Sequence, residues 1–163
     1  MYFQELHCLN SALSLLRSEL IPNLNKELEI LHGNSAILGD TELSEGLFSI
    51  IASKLKSETD SMNRLLSIIL IPLMENIIRN PQSHANIKSF GVLRSYHVRI
   101  RELFQEMREM CNHHLVDPEW STQKKISCLN MYNAEMAFLK YANFMETTIF
   151  SLLTPKLNQP HDC

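Results

Sequence analysis

The sequence predicts an all-α protein: an antiparallel up-down-up-down bundle of four long helices, the first kinked at Pro22. Three observations carry this. Only 4 Gly and 6 Pro occur in 163 residues, so turns are few and elements long. Apolar residues recur at helical spacing over four stretches, near residues 3–32, 43–79, 85–114 and 119–153. Two of these stretches end alike, in an apolar cluster followed by proline: Ser67-Ile68-Ile69-Leu70-Ile71-Pro72 and Ile149-Phe150-Ser151-Leu152-Leu153-Thr154-Pro155. That likeness suggests a duplicated helical hairpin, and short connections between long helices make antiparallel neighbours. The chain reads as one domain, residues 1–163, long enough to bury a core without a covalent or metal staple.

The first helix carries Leu6, Leu9, Leu13, Leu16, Leu20, Leu24, Leu28 and Leu31, at steps of 3, 4, 3, 4, 4, 4 and 3. Pro22 lacks an N–H and crowds the preceding turn, yet the stripe keeps its phase through it, so a kink is expected and not a reversal. Gly33 and Asn34 are expected to end the helix in the left-handed conformation. Residues 34–43 read as a loop, with Thr41 as N-cap and Glu45 close behind. The second helix buries Ile51, Leu55, Met62, Leu66, Ile69 and Leu73. A turn at Asn80-Pro81-Gln82-Ser83 follows. The third helix aligns Leu93, His97, Ile100, Phe104, Met107 and Cys111 on one face. The fourth aligns Met131, Ala134, Phe138, Tyr141, Met145, Ile149 and Leu152, and the polar tail after Pro155 is expected to fray.

Net charge is −3, so there is no basic excess to displace counterions from a phosphate backbone, and nucleic acid is not an expected partner. The longest apolar stretch, Ser67 to Met74, is far short of the ~20 residues that span a bilayer. The N-terminus lacks the pattern of a signal peptide. A cytoplasmic location without membrane attachment is expected. Cys8, Cys111, Cys128 and Cys163 form no Cys-x-x-Cys pair, and they read as free thiols in a reducing compartment. A secreted helical cytokine with two disulfides is the dissenting reading.

Chemistry would rest first on histidine. His97 lies on a buried stripe, where each ring nitrogen needs a partner. It is either a metal ligand or general base, or a core histidine satisfied by a neighbouring hydroxyl or carbonyl. His32, beside Gly33, suits the negative end of a helix. His113 and His114 point about 100° apart on a helix and read as a solvated helix end. Glu58 and Glu146 read as residues at the boundary between core and solvent. Bundle metal sites pair Glu and His at helical spacing, and no such pair occurs here. Gly-rich phosphate loops, Gly-x-Ser-x-Gly and His-Glu-x-x-His are absent as well. The methionines read as core filling. A phosphotransfer role for His97 would need an exposed imidazole, which a buried stripe does not provide.

With these residues in view, the chain resembles the hemerythrin-like (HHE cation-binding) domains, nearest the di-iron branch of iron–sulfur cluster repair and nitric-oxide response. Arg17-Ser18-Glu19-Leu20-Ile21-Pro22-Asn23-Leu24 is similar to that family's Arg-x-x-Leu-Pro-x-Leu stretch, with one residue more. Ile87 to His97, closing on Arg94-Ser95-Tyr96-His97, resembles the start of its third helix, and residues 106–118 also fit. The endings at Pro72 and Pro155 resemble its repeated His-x-x-x-Glu segments. The resemblance implies a His ten residues and a Glu six residues before each such proline. Met62 and Leu66 stand there in one repeat, Met145 and Ile149 in the other. Anchoring the second repeat on Glu146 leaves Ala142 in the other position, and no His lies near Ser11 to Ser14. Only His97 and His32 match family ligands, and two imidazoles cannot hold a di-iron pair. The expectation is therefore a non-enzymatic bundle with a degenerate metal site and no catalytic residue or resident cofactor. It would act as a regulatory or protein-interaction module, on an unidentified protein partner or by self-association. The alternative is a metal-binding, oxygen- or nitric-oxide-responsive or iron–sulfur repair protein with a reduced iron site, for which His97, His32 and Glu58 are the weak candidate ligands.

Overall fold

A computed structural model describes residues 2–81 and 87–157, with side chains for 4–81 and 88–153. The described residues form four long helices and no strand. Helix α1 covers residues 2–34, α2 42–79, α3 87–110 and α4 122–157. Each pair of neighbours runs antiparallel, as the side chains that bridge them show. Arg17–Glu75, Asn25–Asn63 and His32–Ser53 join α1 to α2 in opposite sense. Phe90–Phe150, His97–Tyr141 and Arg108–Glu135 do the same for α3 and α4. Ser127 at the start of α4 donates to the Asn34 carbonyl at the end of α1. One continuous apolar core fills the space between them.

Three of the four helices change register once. Leu16–Leu20, Leu66–Leu70 and Met145–Ile149 are π turns. Each closes with an N–H bonded to the carbonyl five residues back: Ile21 to Leu16, Ile71 to Leu66, and Phe150 to Met145. In α1 and α2 the local cause is visible. Leu16-x-x-x-Leu20-Ile21-Pro22 repeats as Leu66-x-x-x-Leu70-Ile71-Pro72. The wider turn relieves the clash of the proline ring with the carbonyl four residues before it and places the proline in the first turn of the next segment, where no N–H is needed. Aligned on these turns, α4 has Ser151 where α2 has Pro72, so Pro155 is not the counterpart of Pro72.

Each π turn inserts one residue and shifts the buried stripe beyond it. Leu66 is followed on the core face by Leu70, Met74 and Ile77; Ile69 is exposed and Leu73 half-buried, against the expected stripe. Ile149 is followed by Leu153, not Leu152. In α1 the three successive steps of 4 already contain the insertion, and Leu9 to Leu31 are all buried as expected. The α3 stripe, with no π turn, is buried throughout from Leu93 to Cys111.

Helix ends differ from expectation in three places. Helix α1 does not stop in a left-handed residue at Gly33 or Asn34; it tightens into the 3-10 turn Ser35–Leu38, which buries Leu38 in the core. Gly39 follows because a Cβ there would lie 2.3 Å from the Glu45 backbone nitrogen. Thr41 caps α2 as expected, but its reciprocal partner is Ser44 and not Glu45. Helix α3 ends at Met110 instead of residue 114, because Asn112, His113 and His114 are all left-handed, with φ of 48°, 55° and 66°. Ser121 caps α4, which continues to Leu157; residues 158–163 lie outside the described residues, as do residues 85 and 86 of the expected third helix.

Residues Glu42–Arg79 make one helix long and apolar enough, by length and composition, to cross a membrane. Its buried face from Phe48 to Ile77 belongs to the shared core of the bundle.

Candidate functional site

The three π turns lie at one level of the bundle. The turn in α1 touches α4, the turn in α2 touches α3, and the turn in α4 touches α1. Helix α3 contributes Leu93 and His97 to that level, fixed there by its cross-helix pairs to Glu146 and Tyr141. π turns are frequent at functional sites because the widened register re-aims side chains into a bundle's interior. Here they aim hydrocarbon. Leu16, Met62, Leu66, Leu93, Met145 and Ile149 are each 0 % exposed. Four of these, Met62, Leu66, Met145 and Ile149, are the positions at which the family resemblance would place ligands.

His97 is the polar residue of this level. Its Nε2 lies 3.4 Å from the Tyr141 hydroxyl, and its ring stands edge-on to Tyr141 and Phe138 at 5.4 and 6.0 Å between centroids. A hydroxyl partner is what a satisfied core histidine requires. Nδ1 is buried without a hydrogen-bond partner; the nearest carboxylate oxygen, Oε1 of Glu146, is 3.9 Å away. Glu146 is held instead by Arg94, through Nε at 3.2 and 3.3 Å and a second nitrogen at 3.1 Å. Arg94 in turn lies over the Phe150 ring at 4.8 Å. Burial pushes the His97 imidazole down to about 4; Glu146 opposes the shift, and Arg101 and Arg94 add to it. The ring is therefore neutral at pH 7. A proton on Nδ1, facing Glu146, leaves Nε2 to accept from the Tyr141 hydroxyl. Burial raises the Tyr141 phenol further above its ordinary value, so it stays a donor. The donors here are one imidazole, one phenol and a carboxylate already bound by arginine, which do not fit a di-iron pair.

The other expected candidates lie apart from His97. The His32 ring nitrogen Nε2 is 3.3 Å from the Ser53 hydroxyl. Glu58 accepts from Arg99 Nε at 2.9 Å. His97, His32 and Glu58 share no hydrogen bond or ion pair with one another. Among the described residues, no group of three or more His, Cys, Asp or Glu side chains is arranged to hold a metal ion.

A second polar cluster, unforeseen in the sequence, closes the other end of α3 against α4. Glu135, with a side chain 6 % exposed, accepts from Arg108 at 2.7 Å and pairs with His114 Nε2 at 2.9 Å. His114 also stands edge-on to Tyr132 at 5.6 Å. It is no solvated helix end: the left-handed turn carries it back onto the bundle. The available signal was Glu135 itself, a lone carboxylate beside Ala134 in the otherwise apolar middle of α4. Nearby, the Cys111 and Cys128 sulfurs are 3.9 Å apart, and Lys124 reaches Asp40 across the same end.

Fold and site together define a helical bundle with a hydrocarbon-filled axial level and one buried, neutral histidine. Comparison of the chain with protein families, with curated proteins and with solved structures finds no match.

Proposed function

We propose that the chain is a hemerythrin-like bundle that has exchanged its di-iron site for packing. In this role it acts without catalysis, as a regulatory or protein-interaction module in the cytoplasm, bound to neither nucleic acid nor membrane. The observation that carries the proposal is the complete burial of Met62, Leu66, Met145 and Ile149 at the level of His97. Each large apolar side chain buried there contributes roughly 1.5–3 kcal/mol, in place of the coordination energy a metal would supply. The π turn Leu16–Leu20 directly before Pro22 supports a bend in α1 at that point, since π turns and prolines are where long helices bend. The outer face of α4 supports an interaction role. Ile126, Leu129, Tyr132 and Met136 are all exposed, and Ile126, Leu129, Asn133 and Met136 follow the 3, 4, 3 spacing that receives a partner helix or a second copy.

One observation favours the alternative of a reduced iron site: the buried, unpartnered Nδ1 of His97, with Glu146 the nearest carboxylate. In that case the iron would bind at His97 alone of the three candidates, since His32 and Glu58 are held elsewhere. Elemental analysis and an absorption spectrum of the chain, purified from iron-supplemented cells, separate the two. The expected result is far less than one iron per chain. About two irons per chain refutes the proposal. One iron per chain that His97→Ala abolishes establishes the alternative.

A further inference from the structure

Cys111 and Cys128 take no part in the bundle-centre site. We propose that they form a dithiol–disulfide pair, a site of oxidation by peroxides that opens when the left-handed turn Asn112–His114 moves. Their sulfurs are already neighbours at 3.9 Å, on two different helices. Cys111 is the first residue beyond α3, with φ −102° and ψ 34°, so the helix does not lock its backbone. The three residues after it are left-handed without being glycine, a conformation that costs each of them free energy. The turn is exposed at Asn112 and His113, so moving it uncovers little core. What holds it shut is local: His114 N–H to the Cys111 carbonyl at 3.2 Å, Leu115 N–H to the Asn112 carbonyl at 3.0 Å, and the His114–Glu135 pair.

Closed, the pair is protected. The two cysteines are 3 % and 2 % exposed, and burial pushes the Cys111 thiol up to about 12. Opening the turn brings Cys111 to solvent, where a hydroperoxide can reach it. The Cys111 sulfur displaces one peroxide oxygen, giving the sulfenic acid and one water or alcohol. Cys128 then attacks that sulfur and expels a second water. The two thiols lose two protons and two electrons; the peroxide O–O bond takes up both electrons. The product ties the end of α3 to α4. Because His114 packs on Tyr132, the change also reaches the exposed face of α4.

The test uses the full chain with Cys8→Ser and Cys163→Ser, treated with hydrogen peroxide and followed by intact mass and peptide mapping. The expected result is an intramolecular Cys111–Cys128 linkage with a loss of about 2 Da. Glu135→Gln and His114→Gln, which weaken the latch separately, should each raise its rate of formation about tenfold. The proposal is overturned if both thiols survive peroxide exposures that fully oxidise the exposed Cys8 of the unaltered chain. A linkage that forms only in denaturant or only between chains overturns it too, as does a rate unchanged in both latch variants.

Discussion

Alanine at Leu70 and alanine at Ile69 should have very different costs, and the difference reports directly on the π turn in α2. A regular helix continuing the stripe from Leu66 would bury residue 69; the π turn buries residue 70 instead. Leu70 is 0 % exposed and Ile69 45 %. Leu70→Ala removes three buried carbons, about 2.4 kcal/mol at roughly 0.8 kcal/mol each. The residual cavity raises this to about 3–4 kcal/mol, within the range of such core truncations. Ile69→Ala removes three carbons that are only about half desolvated, so about 1.2 kcal/mol is at stake. No enclosed cavity forms, and the better helix propensity of alanine returns a few tenths of that. A gap of at least about 2 kcal/mol between the two variants follows. Urea unfolding with unchanged m-values measures both. Equal costs, or Ile69→Ala as the more damaging change, would refute the inserted residue and with it the convergence of the three turns on one level.

Two further outcomes are expected. His97 is held at about 4 in the folded chain and reverts to about 6.5 when unfolded, so its neutral form stabilises the fold fully above pH 6.5, and that contribution is lost as pH falls towards 4. Urea midpoints between pH 7.5 and 4.5 should show a loss of up to about 3 kcal/mol that His97→Phe largely abolishes; an equally steep loss in the variant would mean that other groups titrate. Leu129→Glu, on the outer face of α4, should leave stability within about 0.5 kcal/mol while removing concentration-dependent association in sedimentation; an unaltered association constant would place the contact on another face.

Much of the fold was legible because it follows from local rules. The 3-and-4 spacing of apolar residues fixes where helices run, and in α3, with no register change, it named every buried position from Leu93 to Cys111. Thr41 was readable as a cap, and a hydroxyl partner for His97 was one of its two readings. The misses share one feature. Ile69, Leu73 and Leu152 were misplaced because each lies just beyond a π turn, and a single inserted residue rotates everything after it by about 100°. His114 was misread because a helical continuation was assumed where three left-handed residues stand. Glu135 carries no pattern of its own; Arg108 and His114 meet it only through the chain reversal at residues 111–121.

The sequence alone therefore determined four helices, their apolar faces and the poverty of metal ligands, since periodicity and residue type are properties of a short window. Tertiary structure decided which side chains meet at the level of His97, and that Cys111 lies beside Cys128. The physical reason is register. A proline explains the wider turn in α1 and α2, but α4 adopts the same turn without one, and there the choice between a bond to the fourth and to the fifth preceding carbonyl is made by packing against the other helices.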